Sequence, residues 1–184
     1  FVKRTVEGDL GVRHNIPTII ESVGEPAFIK LIGDAGHQDH RDRFNNTLCM
    51  WADRPESIPN DDFEECLDMN LAFCAAQIAV ERHVGHIEQI WTPEGRVMVQ
   101  YGKDLTKVKV LIGTGGPLIN SPNPEKVLKA TLYDNEKPLL LKPRQPNLYI
   151  DRRYVLFSIG LLRTVNPNAA RQLAKKYLQE MKIS

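Results

Sequence analysis

Cysteine is scarce and odd in number: Cys49, Cys66 and Cys74 are the only three in 184 residues, and no pair has Cys-x-x-Cys spacing. That excludes a disulfide framework and leaves reduced thiols, as expected of a cytoplasmic protein. No apolar run approaches the ~20 residues of a membrane span, and no signal peptide opens the chain. Neither sign of charge dominates. The 24 basic and 23 acidic residues leave a formal net charge of +1, so no electrostatic footprint for nucleic acid exists. Internal repeats and low-complexity segments are missing as well. What remains, 42% hydrophobic and 26% charged residues, is the composition of a soluble globular domain with one good core. Phe1 reads as a residue in mid-structure, so residues 1–184 are expected to form a single C-terminal domain truncated at its N-terminus.

The most informative stretch runs from Lys107 to Asn120. Val108 to Ile112 is a β-branched and aliphatic run, the composition of an interior strand in a parallel sheet. It stops at Gly113-Thr114-Gly115-Gly116. Three glycines in four positions permit positive φ and remove every Cβ between the backbone and an approaching group. Ligands of open α/β sheets bind at the carboxyl ends of strands, where such a turn exposes N–H groups. A tight strand exit without a ligand is the plain alternative. The spacing matches neither Gly-x-Gly-x-x-Gly nor a Walker loop, since no Lys follows where a P-loop needs one.

Further on, Asp151 to Leu162 reads as an Asp-capped helix, apolar nearly all round, with Gly160 inside it. A glycine in a helix interior costs about 1 kcal/mol relative to Ala, so it usually marks the close approach of another backbone. These two stretches resemble the adenosine motif and the second connecting helix of the actin, Hsp70 and sugar-kinase ATPase superfamily. Taken with Arg4-Thr-Val-Glu-Gly-Asp-Leu-Gly11, Gln100-Tyr-Gly-Lys-Asp-Leu-Thr106 and Ile112-Gly-Thr-Gly-Gly-Pro117, the chain resembles the C-terminal half of the glutamate mutase accessory protein family. That family is also called MutL and is unrelated to mismatch repair.

The resemblance implies an α/β fold of the ribonuclease-H-like (actin-like ATPase) kind, a mixed sheet flanked by helices, with the adenosine side of a site for ATP or ADP with Mg²⁺. On it, Gly113, Thr114, Gly115 and Gly116 line the adenosine and α-phosphate by backbone contact. Asp151 starts the helix that braces the turn, and Gly160 permits its approach. The implied function is ATP-dependent, chaperone-like reactivation of an adenosylcobalamin-dependent aminomutase, of glutamate or ornithine mutase type, by release of damaged cobalamin. The motifs for the outer phosphates and Mg²⁺ would precede Phe1, so this stretch alone is expected to bind nucleotide weakly and not to turn it over. A kinase or hydantoinase-like enzyme of the same superfamily is the first alternative, and a non-catalytic interaction domain the second. No catalytic residue is assigned.

Elsewhere the chain offers elements and few sites. Phe1 to Val12 reads as a strand entering a loop, where Glu7 and Asp9 could face a nucleotide's metal or cap turns. Short helices are expected from Asn15 to Val23 and Pro26 to Ile32, then a polar loop through Phe44, and a linker from Trp51 to Pro59. Asp61 to His83 is the clearest helix: Asp61 and Glu64 form a capping box, and Phe63, Leu67, Leu71, Cys74 and Ile78 share one face. His86 to Tyr101 reads as a hairpin, and helices are expected from Pro124 to Leu132 and from Pro167 to Met181. His37, Asp39, His40, His83 and His86 lack a zinc partner at any standard spacing, so no metal site is expected.

Overall fold

The computed structural model describes residues 6–33 and 41–181; His37, Asp39 and His40, and the first five residues of the expected N-terminal strand, lie outside them. Residues 6–12 form turns, and Glu7 and Asp9 lie in them as the expected loop placed them. Four helices follow: α1 (Ile16–Val23), α2 (Glu25–Ile32), α3 (Arg41–Asp53) and α4 (Asp62–His83). The third corrects the sequence reading, which put a loop at its start and a linker at its end. Trp51 explains the helix: it is fully buried, and the Arg13 guanidinium lies 3.5 Å from its ring centroid.

The long helix α4 starts as anticipated. Asp61 Oδ1 accepts from the Glu64 N–H at 3.1 Å, while Glu64 Oε2 accepts from the Asn60 N–H at 2.9 Å, a capping box displaced by one residue. Leu67, Leu71 and Cys74 are fully buried in one cluster with Ile19, Phe28 and Trp51. Burial pushes the Cys74 thiol up to about 11, so it stays protonated and inert. All three cysteines are free.

Past α4 the chain makes an antiparallel hairpin, β1 (His86–Thr92) and β2 (Gly95–Tyr101), with Thr92 opposite Gly95. Gly85 at its base is more than a helix stop. A Cβ there would lie 2.2 Å from the Tyr101 carbonyl oxygen, so the two backbones meet only because the side chain is missing.

The second sheet has three strands in the order β3 (Val110–Gly113), β4 (Asn147–Asp151), β5 (Leu178–Met181). β3 and β4 are parallel, with Gly113 opposite Ile150, and β5 is antiparallel to β4. Between β3 and β4 lie α5 (Gly116–Ile119) and α6 (Pro124–Lys129); between β4 and β5 lie α7 (Leu156–Val165) and α8 (Pro167–Tyr177). The architecture is mixed α/β, small sheets with helices on their flanks.

Three expectations need correcting here. Among the described residues the interior strand is β4, whose Leu148 and Ile150 are buried, whereas β3 lies at the edge with Val110 49% exposed. The helix expected from Asp151 begins at Leu156 and is not buried: Phe157, Leu161 and Val165 are 70%, 69% and 83% exposed, and nothing lies within 4 Å of a Cβ placed on Gly160. Finally, the last helix stops at Tyr177, because Leu178 to Met181 pairs with β4 as a strand. No helix among the described residues is long and apolar enough to cross a membrane.

The contrast between α4 and α7 is testable by chemical denaturation. Leu71→Ala should cost about 2–5 kcal/mol, as truncations of fully buried leucines do. Leu161→Ala, at an exposed site, should change stability by no more than about 0.5 kcal/mol.

Candidate functional site

β3 and β4 run in the same direction, so their carboxyl ends lie side by side, at Gly113 and at Asp151. The glycine turn leaves the first and the loop into α7 leaves the second. Each glycine has its own reason. A Cβ on Gly113 would come 2.9 Å from Leu128 Cδ2 and 3.0 Å from Leu118 Cδ1, so Gly113 is required by core packing. Gly115 has φ 111, a conformation that a side chain disfavours. Gly116 is neither strained nor crowded; the nearest group to its missing Cβ is the Tyr154 hydroxyl, at 3.7 Å. The Gly115 carbonyl accepts from Leu118 and Ile119, both at 3.0 Å, which closes the turn into α5.

Across the gap, Asp151 is 1% exposed and its carboxylate is filled by backbone donors. Oδ2 accepts from the Leu156 N–H at 2.8 Å, and Oδ1 from Val155 at 3.1 Å and Arg153 at 3.4 Å. Asp151 therefore caps α7 from five residues upstream, at the end of a strand. Arg152 Nη1 donates to the Ile119 carbonyl at 3.2 Å, tying this loop to the end of α5. Of the five residues singled out from the sequence, Gly116 comes nearest to the loop that Asp151 holds, through Tyr154, and Arg152 ties that loop to α5; Gly113 packs in the core and Thr114 lines the opposite face of the turn. Neither Tyr154 nor Arg152 carried a sequence signal.

The other side of the turn opens into a cavity of about 300 Å³ between the glycine turn, α4 and the 6–12 loop. Thr114, Pro117 and Leu118 form one wall, Ala72, Ala75, Ala76 and Ala79 of α4 another, and Glu7 lies at its margin. The alanines are what make room. Their spacing of three and four residues sets them along one side of α4. Glu7 and Asp9 both bind Arg82, whose Nη1 is 3.2 Å from Glu7 Oε2 and 2.8 Å from Asp9 Oδ2. The hydrogen bond from Arg82 holds the Asp9 carboxyl below its usual range.

Among the described residues, the histidines are not gathered into a site. His83 Nε2 is 3.4 Å from Lys103 Nζ, and His86 pairs with Glu88 and stacks on Tyr101. Among the described residues, no three His, Cys, Asp or Glu side chains converge to hold a metal ion.

By architecture this is a mixed α/β protein in which a glycine turn and a buried helix-capping aspartate face each other at the ends of two parallel strands. The family model described as MutL protein matches residues 1–178. Protein MutL of Clostridium tetanomorphum is 40% identical over 184 residues, covering 97% of this chain and 37% of that protein. The chain belongs to the MutL family. It spans a little over a third of the length of the curated relative it matches. No solved structure matches it.

Removing the Asp151 carboxylate unsatisfies three N–H groups in a buried turn. Asp151→Ala should cost about 1–3 kcal/mol in urea titration. Asp151→Asn, which keeps one carbonyl acceptor, should recover part of that loss.

Proposed function

We propose that this chain carries the adenosine side of the nucleotide site in an ATP-dependent reactivating factor for an adenosylcobalamin-dependent aminomutase, built on an actin-like, ribonuclease-H-like fold. The observation that supports it best is the cavity beside the glycine turn. Its volume falls at the lower end of small-molecule sites, about 300–1,000 Å³, and its alanine, proline and leucine walls suit the flat, apolar faces of a purine. Gly115 and Gly116, at the carboxyl end of β3, let the sugar and first phosphate come against backbone. In this reading Gly113 and Asp151 contribute indirectly: Gly113 packs the strand end, and Asp151 fixes the loop that faces the turn.

The same residues offer Mg²⁺ little. Glu7 and Asp9 are both engaged by Arg82, so the ion and the outer phosphates would be held chiefly by parts of the longer protein. The open edge of β3 points the same way. Among the described residues nothing pairs with that edge, and an actin-like sheet would set a further strand against it.

Gly116→Val is the cleaner test of the site, because Gly116 has room for a side chain and no left-handed φ. Gly115→Val adds backbone strain at φ 111 and cannot separate binding from folding. In isothermal titration of the intact protein, Gly116→Val should weaken ADP by about 10-fold or more, with the melting temperature kept. Lys175→Ala, on the exposed side of α8, is the control, and reactivation of a cobalamin-inactivated aminomutase should fall in parallel with affinity. Unchanged ADP affinity would reduce the turn to a strand exit.

Hydrogen exchange tests the fold. In the intact protein the amides of Val110 to Ile112 should exchange as slowly as those of β4, because a paired strand has no free edge. Rapid exchange on one side of β3 would count against the actin-like sheet.

A further inference from the structure

Among the described residues, Tyr154 is the one non-glycine residue with positive φ, at 51. Asn or Gly ordinarily takes that conformation, because a bulky side chain is disfavoured there. The surroundings impose it. Asp151 takes the N–H groups of Arg153, Val155 and Leu156, and Arg152 is bonded to the Ile119 carbonyl, so the loop is held on both sides of Tyr154. The outcome is a phenol whose oxygen stands 3.7 Å from the missing Cβ of Gly116.

Core packing does not account for this, since Tyr154 is 47% exposed. Its hydroxyl has no hydrogen-bond partner among the described residues. The two faces of the turn also differ in chemistry. Thr114 and Pro117 look into the apolar cavity, whereas Gly116 faces Tyr154, preceded in the chain by the exposed cations Arg152 and Arg153. An anionic group is favoured on the second side and an apolar base on the first.

We propose that Tyr154 is a phosphate-positioning residue: its hydroxyl donates a hydrogen bond to an oxygen of the phosphate next to the sugar, as that group crosses Gly116. The proposal rests on the nucleotide reading above and adds a side-chain donor to a site otherwise made of backbone. Strained conformations persist where the surrounding structure over-determines them, and they cluster at ligand clamps.

The experiment is isothermal titration of the intact protein with ADP and, separately, with adenosine. Tyr154→Phe keeps the ring and the backbone and removes only the donor. It should weaken ADP by about 10-fold, the contribution of one hydrogen bond to a charged acceptor, and leave adenosine within about 2-fold. Tyr154→Asn suits the left-handed conformation, so it should melt at or above the parent temperature and still bind ADP weakly. If Tyr154→Phe binds ADP as the parent does while Gly116→Val does not, Tyr154 has no such role and the nucleotide reading stands. Equal losses for ADP and adenosine would also overturn the phosphate assignment. A parent protein that binds neither ligand would remove both.

Discussion

Asn70 is fully buried in the middle of α4, and its amide bridges two layers. Nδ2 donates to the Cys66 carbonyl at 2.8 Å, and Oδ1 accepts from the Lys126 ammonium of α6 at 3.0 Å. A buried amide without partners costs more than its hydrogen bonds return, so this link admits one relative placement of α4 and α6. That placement matters because α4 is buried on more than one side. Leucines face the helical cluster of α1–α3, which Ala75 and Ala79 also touch, while Ala72, Ala75, Ala76 and Ala79 line the side toward the sheet unit with Pro117, Leu118 and Val127. The cavity by the glycine turn exists because small side chains occur where α4 passes the end of β3.

A second polar anchor works at the C-terminal end of α4. Lys142 is 1% exposed, and its ammonium meets Glu81 Oε1 at 3.0 Å, with Lys137 on the other oxygen at 2.7 Å. Burial alone would raise the Glu81 pKa, but the donors Lys137, Lys142 and Gln77 outweigh it and hold it lowered. The stability this contributes is therefore present above the ordinary glutamate range and is lost as pH falls through the lowered value. These bonds join the 137–142 segment to α4, and Leu141 donates to the Gly85 carbonyl nearby. The chain is stitched at the middle and at the C-terminal end of one helix.

Much of this was legible in the residues, and the pattern of misses has a physical logic. The capped, periodic helix α4, the hairpin and the Pro-started α8 announce themselves through local chemistry: caps, alternation and turn residues. β4 did not, because five residues, Asn147 to Asp151, follow a proline-rich segment and acquire strand character only from neighbours on both sides. β3 carries more β-branched residues yet lies at the edge among the described strands, so composition placed it in the interior of the sheet. Asp151 was recognised as a cap, but its distance from the helix it caps depends on the loop through Tyr154, a left-handed residue that no propensity anticipates. Gly160 was read as a packing glycine, and in the structure it faces open space. For the site, the glycine turn was visible and its cavity was not, since that requires knowing that α4 passes beside it.

The two tryptophans of the chain occupy opposite environments, and that gives the molecule two separate optical signals. Trp51 has no exposed surface and lies beneath the Arg13 guanidinium, whereas Trp91 is 72% exposed near the tip of the hairpin. Emission from the first reports on the α1–α4 cluster and is shifted to shorter wavelength while that cluster holds. Emission from the second is already that of an indole in water and is insensitive to loss of the core. The intrinsic spectrum is the sum of both. Its blue component alone follows unfolding of the helical layer, and the accessibility of its red component to a soluble quencher reports on whether anything covers the hairpin.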